Sequence, residues 1–175
     1  ARFIIHLEAI VSGVQRRPPI EGRRWVIGPP SICWSGETRW RGRAELDGDH
    51  GLDECFAVTA DTLHALFGQL YTQDVVLDGA VLKASMVISG ADASGRAGVD
   101  DVAAATLQCL LDTVPASLTG VVFLSGGQSE IEATAHLDAM NRMGGTPWPL
   151  SFSYGRALQA PALAACFAGE DDEVI

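Results

Sequence analysis

Residues 75–86, VVLDGAVLKASM, decide the fold because they combine a strand pattern with one reactive side chain. Lys83 is the only lysine in the chain, and the other eleven basic residues are arginines. The apolar, branched run at 75–77, followed by Val81 and Leu82, predicts a buried strand bounded by a turn. Burial removes solvation of a charged ammonium and so favours the neutral amine, a nucleophile that forms a Schiff base with a carbonyl. The alternative is a lysine that marks the end of the strand and extends into water.

The composition predicts one folded domain, or part of a larger one, of 175 residues, 47% hydrophobic and 19% charged. No apolar run approaches the roughly 20 residues that a membrane span needs, so we expect no membrane partner. The cysteines are widely spaced and lack the pairing typical of metal sites (Cys33, Cys55, Cys109, Cys166). We therefore predict reduced thiols, a cytoplasmic location and no bound metal or other cofactor.

Two compositions meet near residue 44. Residues 1–44 hold eight arginines against three glutamates, whereas residues 45–175 hold four basic residues against nineteen acidic ones. The first part has no sustained period, with paired prolines at 18–19 and 29–30, and it predicts an irregular basic arm. It can be interpreted as a nucleic-acid-binding arm, as a poorly packing segment, or as sequence foreign to the domain. We favour the last two interpretations together, and we expect no nucleic-acid partner.

The second part alternates predicted strands and helices. A helix over 100–113 ends before a proline, and a strand over 120–124 follows it. Ser129 and Glu132 form an S-x-x-E capping box that begins a helix to about residue 143. A strand over 149–154 and a last helix to about residue 167 complete the pattern. Such alternation indicates parallel β/α units, which are too few here for a complete eight-stranded barrel of about 250 residues.

The acidic segment before these units holds a weak metal candidate. Asp47, Asp49 and His50 are close in sequence but lack the further partners that metal spacing requires. We interpret them as part of a solvated loop between a strand and the helix that carries Leu63, Leu66, Phe67 and Leu70. His64, on that helix, is expected to be a surface or packing residue.

Two turns that follow strands suit a phosphate group. Ser125-Gly126-Gly127 leads into a helix and presents main-chain N–H groups, and Tyr154-Gly155-Arg156 adds a guanidinium. Either turn alone can reflect the tight geometry of a strand-to-helix connection. Their occurrence at neighbouring strand ends, one unit after Lys83, favours a phosphate site at the carboxyl face of the sheet.

These segments resemble class I fructose-bisphosphate aldolase. VVLDGAVLKASMV, GVVFLSGGQSEIEA and LSFSYGRALQAPAL resemble the sixth, seventh and eighth strand regions of that family. LDGDHGLDECFAVT resembles the segment after its fifth strand. The resemblance covers about residues 46–167 and implies an α/β fold, namely the last three to four units of a (β/α)8 TIM barrel in residues 45–175.

The resemblance also implies site residues and a reaction. Lys83 takes the position of the lysine that forms the Schiff base during cleavage of fructose 1,6-bisphosphate to dihydroxyacetone phosphate and glyceraldehyde 3-phosphate, without a metal. The implied phosphate-binding residues lie on the seventh and eighth strand regions (Leu124, Ser125, Gly126, Ser153, Gly155, Arg156). Tyr154 is assigned a packing role.

The chain departs from the family in ways that predict weak catalysis. Sequence for the first four strands, the two glutamates of the fifth strand and the tyrosine at the family's C-terminus have no counterpart here. Glu45 is out of register, and no second lysine exists to assist Lys83. We therefore expect a truncated aldolase with little or no turnover, acting on a small sugar phosphate, whose open sheet edges favour a homo-oligomer. The alternatives are a non-catalytic phosphosugar-binding or interaction module, and a protein whose basic arm docks an acidic partner.

Overall fold

In a computed structural model, the chain folds into a six-stranded sheet with four α-helices. The structure describes residues 7–11, 31–32, 38–42 and 48–168. The strands are β1 (Leu7–Val11), β2 (Ser31–Ile32), β3 (Thr38–Gly42), β4 (Ala80–Ala84), β5 (Gly120–Phe123) and β6 (Leu150–Phe152). The helices are α1 (Leu52–Thr72), α2 (Val99–Thr113), α3 (Glu130–Met143) and α4 (Arg156–Ala168), and a 3-10 turn covers Leu77–Gly79.

The strand order is β2-β3-β1-β4-β5-β6. β4, β5 and β6 run parallel and are separated in sequence by α2 and α3, which is the β/α arrangement that the sequence predicts. β1 joins the other edge of β4 in the antiparallel direction, and β3 and β2 continue outward from it, also antiparallel. The division of the chain at residue 44 stays a prediction.

One face of the parallel strands lies against the helices. Along β4, Ala80, Leu82 and Ala84 are buried in the hydrophobic core, while Val81 and Lys83 between them are only half-buried. Successive side chains of a strand point to opposite faces, so the alternation separates a helix-covered face from an open one. Lys83 therefore belongs to the face of the sheet that the helices do not cover.

α3 begins and ends where the sequence signals predict. The Ser129 Oγ accepts a hydrogen bond from the Glu132 N–H at 3.2 Å, and the Glu132 carboxylate accepts one from the Ser129 N–H at 3.2 Å. This is the predicted capping box. Gly144, with a φ of 65°, follows the last residue of the helix, which is a common position for glycine.

Two local predictions were wrong. Residues 75–77 do not start the Lys83 strand: Leu77 lies in the 3-10 turn and is buried in the core, and β4 starts only at Ala80. The segment after residue 47 is also less exposed than predicted, because α1 already begins at Leu52 and His50 is buried.

None of the helices between residues 48 and 168 is both long and apolar enough to cross a membrane.

Candidate functional site

Lys83 lies in a row of residues that crosses the three parallel strands. In register, Lys83 is the partner of Val122 on β5, and Val122 is the partner of Ser151 on β6. Strands are about 4.8 Å apart, so the Cα atoms of Lys83 and Ser151 are separated by roughly 10 Å. Val122 is half-buried like Lys83, whereas its neighbours Val121 and Phe123 are fully buried. The row thus lies on the open face, near the carboxyl ends of all three strands.

The turn after β5 is tied directly to the strand that carries Lys83. The Leu124 N–H donates to the Ala84 carbonyl oxygen at 2.9 Å, which extends the pairing of β4 and β5 by one residue. Gly126 and Gly127 then have φ values of 58° and 82°, a region that side chains other than glycine rarely adopt. These two glycines let the chain reverse beside the end of β4. Leu124, Ser125 and Gly126, predicted together as phosphate-binding residues, are all half-buried there.

The N–H groups of this turn are available to a ligand. In the segment 48–168, no hydrogen bond within the protein has the main-chain N–H of Ser125, Gly126 or Gly127 as its donor. The start of α3 is different, because the capping box already uses the N–H groups of Ser129 and Glu132 and places a carboxylate there. A phosphate oxygen is therefore better accommodated by the turn than by the start of α3.

The turn after β6 lies beside the turn after β5. The Ser153 N–H donates to the Phe123 carbonyl oxygen at 2.8 Å, so Ser153 is held against the end of β5. Tyr154 has the packing role that was expected, since its hydroxyl donates to the Ala133 carbonyl oxygen on α3 at 2.8 Å. Gly155 is exposed, and Arg156 is the first residue of α4, where the structure describes its main chain.

The acidic segment and the region after β4 make a close main-chain contact that sequence reasoning missed. The Gly90 N–H donates to the His50 carbonyl at 3.0 Å, and the Asp92 N–H donates to the Gly48 carbonyl at 2.9 Å. Asp49 is exposed while His50 is buried, and Asp47 lies outside the described residues. No group of three or more potential metal-ligating side chains occurs in the described ranges.

A second missed feature is a pair of buried polar side chains behind the Ser125 turn. Gln128 and His136 are each only 6% exposed, and the Gln128 Oε1 lies 2.5 Å from the His136 Nδ1. The charged groups that face His136 are Glu132 and Arg96, which form an ion pair at 3.1 Å. Burial lowers the pKa of His136, with Glu132 acting in the opposite direction and Arg96 in the same one.

These pKa shifts predict loss of stability on acidification. The pKa of Glu132 is also lowered, first by the hydrogen bond from the Ser129 N–H. Both groups bind protons more readily in the unfolded chain, so stability is greatest above their ordinary values of 6.5 and 4.5. We expect the Tm to fall as the pH drops below about 6.5, through protonation of His136, and again below about 4.5.

The His136 contribution can be separated by substitution. His136→Asn keeps an N–H near the position of Nδ1 but does not titrate, and His64→Asn is its matched control on the exposed side of α1. Between pH 7.5 and 5.5, we expect the Tm of His136→Asn to depend less on pH than the Tm of the wild type. The Tm of His64→Asn should depend on pH as the wild type does. An equal change in the pH dependence of the Tm in both variants would contradict the attribution of this dependence to His136.

Comparison with known proteins gives a consistent match. A family model described as "Glycolytic: Fructose-bisphosphate aldolase class-I" matches residues 44–175. A curated protein of Xanthomonas campestris, called "Probable fructose-bisphosphate aldolase class 1", is 58% identical over 118 residues, which are 67% of this chain and 35% of that protein. The fructose-bisphosphate aldolase of Dictyostelium discoideum is 47% identical over 129 residues, 74% of this chain and 36% of that protein.

A solved structure is similar in fold as well as in sequence. It is the fructose-bisphosphate aldolase of Plasmodium falciparum, determined in complex with TRAP and a small-molecule inhibitor. The TM-score is 0.69 at 43% identity, over 73% of this chain and 37% of that chain. The chain thus spans about a third of the length of the relatives that it matches.

Proposed function

Because the chain belongs to the class I fructose-bisphosphate aldolase family, we propose that Lys83 forms a Schiff base with the ketone of a sugar phosphate. The observation that carries the proposal is the position of Lys83 on the open face at the end of β4, beside the turns that follow β5 and β6. The amine and the two turns thus lie at the same end of neighbouring strands, where one small ligand could contact them together.

The chemistry follows from the amine. The Lys83 nitrogen attacks the ketone carbon, and loss of water leaves an iminium ion. The iminium accepts the electron pair of the bond between the α-carbon and the hydroxyl-bearing β-carbon. As that bond breaks, the β-hydroxyl loses its proton to water, its oxygen becomes the carbonyl of the released aldehyde, and an enamine remains on the lysine. Protonation of the enamine carbon and hydrolysis of the imine then return the lysine and release dihydroxyacetone phosphate. For fructose 1,6-bisphosphate the aldehyde is glyceraldehyde 3-phosphate, and no metal takes part.

The residues proposed to bind the phosphate are those predicted from the sequence. Main-chain N–H groups of Ser125 and Gly126 would donate hydrogen bonds to phosphate oxygens, with Leu124 holding the turn against β4. Ser153, Gly155 and Arg156 would complete the site from the turn after β6, where an arginine offers a planar pair of donors. Assembly into a homo-oligomer and a cytoplasmic location remain predictions.

Borohydride trapping tests the proposal. The chain is incubated with dihydroxyacetone phosphate and borohydride, and the adduct is measured by intact mass and located by peptide mapping. We expect an adduct on Lys83, which is the only side-chain amine, and none in Lys83→Arg, which keeps the charge but forms no imine. The N-terminal amine of Ala1 is excluded by mapping. Folded wild-type protein without an adduct on Lys83 would refute the proposal.

A second function, phosphosugar binding without turnover, is favoured by one observation. Lys83 is the only lysine of the chain, so no second lysine within it can assist proton transfer. General acid–base groups typically contribute about 10²–10⁴-fold to a rate. This function predicts that dihydroxyacetone phosphate binds, for example in calorimetry, while fructose 1,6-bisphosphate is not cleaved.

A further inference from the structure

Gln128 is the buried polar residue that connects the Ser125 turn to the rest of the protein. It follows Gly127 directly and precedes Ser129, the residue that caps α3. Burial of a carboxamide is costly unless its hydrogen bonds are satisfied, and Gln128 satisfies them on both sides. Its partners show what the side chain does.

Ser125 receives two hydrogen bonds from Gln128. The Gln128 main-chain N–H donates to the Ser125 carbonyl oxygen at 3.0 Å, and its side-chain Nε2 donates to the same oxygen at 2.9 Å. Nε2 also lies 3.7 Å from the sulfur of Met86, three residues after Lys83. The carboxamide therefore joins the turn to the segment that leaves the Lys83 strand.

The Ser125 carbonyl oxygen fixes which way the Gln128 carboxamide points, and that orientation assigns the proton of His136. A carbonyl oxygen only accepts hydrogen bonds, so the group of Gln128 that faces Ser125 must be the NH2 group. Oε1 then faces His136 and accepts a hydrogen bond from Nδ1, so the neutral imidazole carries its proton on Nδ1. The 2.5 Å contact between Oε1 and Nδ1 thus ties Gln128 to α3. Through its Nε2, Gln128 in turn holds the Ser125 carbonyl in place.

The direction of the Ser125 carbonyl sets the direction of the Gly126 N–H. The peptide group between the two residues is planar and trans, so its C=O and N–H bonds point in opposite directions. With the carbonyl directed at the buried carboxamide, the Gly126 N–H is directed away from that carboxamide. That N–H makes no hydrogen bond among residues 48–168.

We propose that Gln128, held by His136, is a positioning residue that aims the Gly126 N–H at the phosphate of the substrate. Gln128 itself does not touch the phosphate. The inference rests on the proposed function for the identity of the ligand, but its geometry is independent of the Lys83 amine.

The first test separates phosphate recognition from imine formation. Initial trapping rates at Lys83 are measured against the concentration of dihydroxyacetone phosphate and of unphosphorylated dihydroxyacetone. Gln128→Met, which has similar length and no hydrogen-bonding amide, is expected to raise the half-saturating concentration of the phosphate ester about tenfold. The half-saturating concentration of unphosphorylated dihydroxyacetone in this variant should stay within about twofold of the wild-type value. Gln108→Met, on the exposed side of α2, is the matched control and should change neither value.

A second readout does not depend on Lys83. In a titration with inorganic phosphate, the 15N–1H signal of Gly126 is expected to shift in the wild type and to lose that shift in Gln128→Met. His136→Leu removes the donor to Gln128 and should lose it as well, whereas His136→Asn, which keeps an N–H, should retain it. These two variants keep the test decisive if Gln128→Met does not fold.

The outcomes distinguish the two proposals. If no adduct forms on Lys83 but the Gly126 signal responds to phosphate through Gln128, the proposed function fails and the positioning role stands. If an adduct forms and Gln128→Met affects both ketones equally, the positioning role is overturned and the proposed function stands. Absence of a phosphate response at Gly126 in the wild type also overturns the positioning role.

Discussion

We expect Phe123→Ala to lower the free energy of unfolding by about 3–5 kcal/mol, the range for loss of a buried aromatic ring. Phe123 is 0% exposed and is the largest fully buried side chain among the described residues. It lies on β5, which pairs with β4 on one side and β6 on the other. Its loss leaves a cavity between the sheet and the helices, and the ladders on both sides limit how far β5 can move to fill it.

Phe152→Ala is the matched control. Phe152 is the register partner of Phe123 on the next strand, but it is 51% exposed because β6 is the end strand of the described sheet. It loses a ring contact with Tyr154, whose centroid is 5.2 Å away, so we expect a cost of about 1 kcal/mol. Equilibrium unfolding in urea measures both values. Equal losses of unfolding free energy in Phe123→Ala and Phe152→Ala would show that β5 is not the centre of the core.

The substitution also bears on the site. β5 leads directly into the Ser125 turn, and the Leu124 N–H that anchors the turn to Ala84 is adjacent to Phe123. Loosening this anchor is expected to reduce adduct formation on Lys83 more for phosphorylated than for unphosphorylated ketones. The core and the proposed phosphate site are therefore coupled through one strand.

Local signals explain what could be predicted from the sequence. The capping box at Ser129 and Glu132, the proline after α2 and the apolar pair 81–82 before Lys83 each act within a few residues, so they can be identified without the fold. The order of strands and helices then gives the parallel sheet, because consecutive parallel strands need a crossover between them. These steps place Lys83 and the two turns at one edge.

Contacts between distant segments explain what could not be predicted. Leu77 is apolar and buried, yet it belongs to a 3-10 turn, and periodicity cannot distinguish a buried turn from a strand over so few residues. The contact of Gly48 with Asp92 spans more than forty residues, and nothing in either segment indicates the other. Gln128 and His136 are closer in sequence, but their pairing depends on how the turn meets α3.

The second large effect is expected for Gly90→Ala, at about 3 kcal/mol of lost stability, the upper part of the range for an overpacked site. Gly90 lies where the chain after β4 passes the segment before α1. A Cβ added there would overlap the Gly48 carbonyl oxygen and would lie 2.8 Å from both the Gly48 carbonyl carbon and the His50 Nδ1. Two of these three atoms belong to the main chain, so no rotation of a side chain relieves the overlap.

The two segments must separate to admit the methyl group, and the hydrogen bonds from Gly90 to His50 and from Asp92 to Gly48 would then lengthen or break. Gly95→Ala, in the same loop, is the control, because nothing lies within 4 Å of its added Cβ. We expect a change within about 0.5 kcal/mol for it in urea unfolding. Because residues 84–90 are buried directly after Lys83, Gly90→Ala should also lower the yield of the Lys83 adduct. Equal stability of the two variants would mean that the segments at 48–50 and 90–92 do not pack closely in solution.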